Sequence, residues 1–161
     1  MDPRTAALGE ILRLNTKLFR NCLDGLTDAM AGVRPSATTN NAAFVAAHVA
    51  DSRFFLLRLV GLDRPSPLAR YLKGARTIDD AAELPALAEV QEAWTAAAHA
   101  LRERLAALMP AELDGPPAVP FPAAGQTMLG ALTFLVQHDS YHIGQLALLR
   151  KHAGLPAMRY T

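Results

Sequence analysis

Gly and Pro are bunched along this chain, and between the bunches lie four long Ala- and Leu-rich stretches whose apolar residues recur at intervals of three and four. That spacing is the period of an amphipathic helix, and no run alternates as a half-buried strand does. The expected fold is therefore all-α with four main helices. The first spans about Arg4 to Met30, with Leu8, Ile11, Leu12, Leu18, Phe19, Cys22 and Leu26 on one face. The second runs from about Asn41, a candidate N-cap, to Val60, with Phe44, His48, Phe55 and Leu59 on one stripe and Gly61 as its stop. The third runs from Ala82 or Leu84 to Met109, with Pro85 tolerable in its first turn and Pro110 ending it. The fourth covers about Gln126 to His152 through Met128, Leu132, Leu135, His138, His142, Leu146 and Leu149. Residues 62–82 read as a crossover with room for one short helix, and the Pro-rich segment 110–125 as a loop. Four helices with one longer connection between the second and third point to a four-helix bundle.

At 161 residues, 51% of them hydrophobic, the chain suits a single domain over 1–161 with a packed core. Its formal net charge of +1 offers no bulk field for a phosphate backbone or anionic lipid, so neither nucleic acid nor a membrane is an expected partner. Cys22 stands alone, which excludes an internal disulfide and a Cys-rich zinc module. With Met1-Asp2-Pro3-Arg4 lacking the apolar core of a signal peptide, the expected location is cytoplasmic.

The chemical signal is His138-Asp139-Ser140-Tyr141-His142. Four residues apart on a helix, the two imidazoles differ by about 40° around the axis and about 6 Å along it, so both can reach one ion. The wheel places both toward the interior, and His48 sits on the apolar stripe of the second helix in the same manner. Three neutral imidazoles on facing helices of a bundle make a metal site with positions left open for water or substrate. Without a shared ion, each would need its own hydrogen-bond partner in an apolar interior. Two histidines at this spacing also occur as ordinary core or surface residues, and spacing alone does not make the second and fourth helices neighbours.

The segment Asn40-Asn41-Ala42-Ala43-Phe44-Val45-Ala46-Ala47-His48-Val49-Ala50-Asp51, with His138-Asp139-Ser140-Tyr141-His142-Ile143-Gly144-Gln145-Leu146 downstream, resembles the DinB-like (DinB/YfiT) family of small bacterial metalloproteins. The His-x-x-x-His-x-Gly-Gln run is its most specific part. The resemblance implies an up-down-down-up four-helix bundle in which His48, His138 and His142 hold a divalent ion, often zinc or nickel. It also implies that a low-molecular-weight thiol can serve as co-substrate, because relatives in the wider superfamily activate thiols for transfer or isomerisation.

Around that core, Asp51 is either a partner that orients an imidazole or an edge carboxylate, and Gln145 either faces the open coordination side or packs. Tyr141 is expected at a helix contact, Asp139 at an edge, and Arg53 to Arg58 and Arg102 to Arg104 on solvated faces. His99 falls on a polar face, His152 suits the helix C-terminus, and Cys22 fills core. The functional expectation is a metal-dependent thiol S-transferase acting on a small electrophile. The alternatives are a metal-dependent hydrolase and a non-catalytic stress-related binding protein whose metal is structural. The crossover and the Pro-rich loop are expected to wall a substrate cavity, and an apolar bundle face to permit a homodimer.

Overall fold

The computed structural model describes residues 2–121 and 126–160. Pro122 and Gly125, two of the expected breakers, lie outside them. Every regular element among the described residues is helical: α1 (Pro3–Leu23), α2 (Asp28–Ala31), α3 (Ala42–Leu59), α4 (Ala69–Leu72), a 3-10 turn at Ile78–Asp80, α5 (Leu87–Ala107), α6 (Pro110–Asp114) and α7 (Met128–His152). The four long helices are the four expected from periodicity. Helices α1 and α3 each pack against both α5 and α7. None of the helices is long and apolar enough to cross a membrane.

Local chemistry sets the ends. The Asn41 side chain accepts from the Phe44 N–H and caps α3, and Thr127 accepts from Gly130 N–H at the start of α7. Gly61, at φ 83°, occupies the left-handed region that closes α3, as its position in the sequence suggests. The first helix is shorter than its apolar pattern: it stops at Leu23, and Gly25 at φ 73° turns the chain into α2. Arg150 from α7 donates to the Cys22 and Asp24 carbonyls, so a tertiary contact satisfies the freed helix end. Leu26, still on the apolar repeat, is buried beyond the break. Pro85 lies ahead of α5 instead of in its first turn, and the Leu87 N–H is taken by Asp28 of α2.

The stretch after Pro110 departs from the expected loop. Pro110 opens α6 at a position where its missing N–H costs nothing, and Glu112 accepts from the Met109 N–H. Leu113 seats α6 in the core, and Arg104 clamps Glu112 to α5 at 2.5 Å.

Two corrections concern the centre of the helical core. Arg53 is not on a solvated face and Asp139 is not at an edge. Each is about 1% exposed, and Arg53 Nε donates to Asp139 Oδ2 at 2.8 Å. Arg53 Nη1 also donates to Thr16 Oγ1 of α1, and its guanidinium lies 3.3 Å from the Trp94 ring centroid of α5. Trp94 in turn stacks on Phe19 at 4.1 Å. One cation thus touches all four long helices. Ile11, assigned to the apolar face of the first helix, is 43% exposed.

Candidate metal centre

His48 sits in the second turn of α3, and Phe44, one turn earlier, lies parallel to its ring with centroids 6.3 Å apart. His138 and His142 occupy successive turns of α7. Because α3 packs against α7, the three rings converge. His48 Nε2 is 3.2 Å from His138 Nε2, and His142 Nε2 is 3.1 Å from the same atom. One ligand atom from each residue lies within 4.8 Å of the other two. Among the described residues no carboxylate or thiol belongs to this cluster.

The arrangement fits a metal ion on its donor chemistry. Two nitrogens bound to one tetrahedral ion at about 2.0–2.1 Å stand about 3.3 Å apart, close to the two short separations. The protonation state also fits. Burial, with the neighbouring imidazoles adding to it, lowers His48 and His138 from the ordinary 6.5 to about 4, and burial lowers His142 as well. All three are therefore neutral near pH 7, the form that binds metal. Without an ion, among the described residues the Nε2 of His138 is the hydrogen-bond partner of both other Nε2 atoms, and it can donate to one of them at most. His138 Nδ1 is buried and has no hydrogen-bond partner among the described residues.

Gln145 has a definite place: its Oε1 lies 2.7 Å from His142 Nδ1, and its Nε2 donates to the Tyr141 hydroxyl at 3.1 Å. An amide oxygen only accepts, so His142 carries its proton on Nδ1 and presents a bare Nε2 to the cluster. The Gln145 side chain faces the outer edge of an imidazole and not an open coordination position. Tyr141, expected at a helix contact, is 57% exposed and meets His142 edge-on. Asp51 is half-buried and hydrogen-bonds to none of the imidazoles.

His99 is exposed beside Glu103, His152 is exposed in the last turn of α7, and Cys22 is fully buried with its thiol pushed up to about 11 by burial. These three residues stay apart from the cluster. Phe121, from the Pro-rich segment, packs between Phe55 of α3 and Phe134 of α7, and Ala118 N–H bonds to the Leu59 carbonyl. Ala118 and Phe121 therefore lie over the seam between the two His-bearing helices. The crossover sends hydrogen bonds and an ion pair to Asn40, Arg34 and Glu89, and its helix α4 packs on α3. A cavity of about 670 Å³ also lies elsewhere, between α1 and α5.

Sequence could not find Arg53 and Asp139 as a pair, because a charged residue on a helix looks solvated until its neighbours are known. Gln145 was legible as the residue one turn after His142.

Comparison with known proteins bears on the fold and the family. A solved structure titled as the conserved protein of locus from Enterococcus faecalis superposes with a TM-score of 0.77 over 94% of this chain and 96% of that one. At 16% identity, the likeness is one of fold. No curated protein matches the chain. The family model described as the DinB superfamily matches residues 11–146, which include all three histidines, and the chain belongs to that superfamily.

Proposed function

We propose that His48, His138 and His142 hold a divalent ion and that the protein is a metal-dependent thiol S-transferase acting on a small electrophilic molecule. The convergence of three neutral imidazoles on one point is the observation that carries this reading. A bound zinc or nickel ion would supply Lewis acidity, lowering the pKa of a thiol or water in its open positions. An all-nitrogen neutral donor set leaves the full charge of the ion available for stabilising an anion. Among the described residues the cluster contains no carboxylate to serve as general base. A thiol, with a free pKa of about 8.5, needs far less help to ionise near neutrality than water at about 15.7. In the overall step the S–H proton leaves to solvent and sulfur forms a bond to the electrophilic carbon. The leaving group departs with its bonding pair and is protonated.

The chain's own residues perform two tasks. Gln145 holds the His142 ring with its metal-facing nitrogen bare. Phe44 flanks His48, and the Phe55, Phe121 and Phe134 cluster lies over the same helix pair, giving an apolar side to the approach. An up-down-down-up bundle is the architecture proposed with this site. It is supported by residue pairs that run in the same order along α1 and α7 (Asn15 with Ser140, Cys22 with Ile143, Asp24 with Arg150) and along α3 and α5 (Arg53 with Trp94, Val60 with Arg104). The half-buried state of the imidazoles, which lets water reach them, favours hydrolysis as the second reading.

Metal analysis of the purified protein, followed by thiol-plus-electrophile and ester panels on the wild type and His142→Ala, tests the proposal. Stoichiometric divalent metal and thiol-dependent turnover, both lost in His142→Ala, are expected. Turnover of esters without thiol would favour hydrolysis, and bound metal with no turnover would favour a structural ion.

A further inference from the structure

The cavity between α1 and α5 takes no part in the proposed metal chemistry, and its lining combines apolar side chains with arginines. Leu12, Leu101 and Leu105 line it with Ala6, Gly9 and Ala98. At about 670 Å³ it falls in the range of sites that hold small organic ligands. Gly9 is the unusual element. It stands inside a 21-residue helix, where glycine is a poor choice, yet a Cβ added there meets nothing within 4 Å. No close packing demands the missing side chain. Its absence leaves the opening wider.

Charge gives the second observation. Arg13, Arg20, Arg102 and the buried Arg53 all line the cavity, against the single carboxylate of Glu10. Glu10 is paired with Arg13, and Asp139 with Arg53. Arg20 has only the neutral Thr95 hydroxyl, and Arg102 has no hydrogen bond or ion pair among the described residues. Two uncompensated guanidinium groups therefore flank an apolar space. Arg53 Nη2, with only a 3.5 Å contact to the Leu12 carbonyl, adds a weakly satisfied donor at its wall.

We propose that this cavity is a second binding site, for a small amphiphilic carboxylate whose hydrocarbon tail lies on Leu12, Leu101 and Leu105 while its carboxylate meets Arg20 and Arg102. Apolar area supplies the affinity, and the arginines select an anion over neutral or cationic analogues of the same length. The proposal is independent of the metal chemistry.

Isothermal titration with octanoate, octan-1-ol and octyltrimethylammonium tests it on the wild type, Gly9→Leu, Arg102→Ser and His142→Ala. Octanoate is expected to bind the wild type and His142→Ala alike, about tenfold or more tighter than the alcohol, with the cation weakest. Arg102→Ser should weaken octanoate and not the alcohol. Gly9→Leu should abolish binding by filling the cavity, and because leucine is the better helix former its melting temperature should not fall. Equal affinity for acid and alcohol, unchanged binding in Gly9→Leu, or no octanoate binding would overturn the proposal. Loss of binding in His142→Ala would place the carboxylate at the histidines instead and would also overturn it. Self-association of the wild type that Gly9→Leu removes would show that a second copy covers this face, and the proposal would fall with it.

Discussion

Gln145 and Asp139 show how differently two polar side chains on one helix can act. Gln145 touches His142 at its outer nitrogen, so its amide oxygen decides which ring nitrogen is free. Replacing it with Ala should weaken divalent-metal affinity about 10–100-fold in a chelator-competition titration, while Gln145→Glu, which keeps an acceptor, should retain most of it. Unchanged affinity in the alanine variant would remove Gln145 from the site. Asp139 acts through stability. Burial pushes its carboxyl up and the Arg53 guanidinium down, and the 2.8 Å contact between them opposes both effects. Removing one partner leaves the other charged and buried, so Asp139→Ala should cost about 3–5 kcal/mol in a denaturant titration. The double variant Asp139→Leu with Arg53→Met should recover much of that loss. Arg53 and Arg58 point about 140° apart on one helix, but neither lies on the stripe of His48, so periodicity does not mark Arg53 as the buried one. Only the packing of Trp94 and Asp139 on one of them does so.

Among the elements, the helices whose ends carry their own signals were the legible ones. Asn41 caps α3 and Gly61 closes it, as the residue types require, and the same helix holds His48. Asn41→Ala should destabilise the protein by about 1 kcal/mol, up to about 2, since the side chain both caps Phe44 N–H and donates to the Gly32 carbonyl. A chemical melt coincident with wild type would mean that α3 does not depend on its cap. Where a partner from elsewhere in the chain decides the end, sequence misleads. α1 continues its apolar repeat to Leu26 and beyond but stops at Leu23, where Arg150 takes its carbonyls. α6 forms within a proline-rich stretch because Glu112 is held by Arg104.

For the molecule as a whole, the three histidines couple stability to pH and to metal. His48 and His138 bind protons near 4 in the folded state and near 6.5 when unfolded, so the unfolded chain takes up more protons between those values. Without metal, the histidine contribution to stability should therefore fall as pH drops from about 6.5 to about 4 and level off below it, as the difference between thermal melts of wild type and His138→Ala across that range would reveal. Added divalent ion should raise the melting temperature at pH 7 and lose that effect near pH 4, where protons compete for the same nitrogens. A metal-induced shift that survives in His138→Ala would locate the ion elsewhere. What the chain determined by itself was angular and local: four helical periods, two histidines one turn apart on α7, and His48 on the inner stripe of α3. Periodicity records how a side chain points about its own helix axis and carries no information about which helix lies opposite. That α3 faces α7 and the three imidazoles meet was implied by the family resemblance and not by the periodicity, while the burial of Arg53 with Asp139 and the cavity between α1 and α5 came only from how the helices pack. Each of these depends on contacts between residues far apart in sequence, and those contacts exist only once the chain has folded.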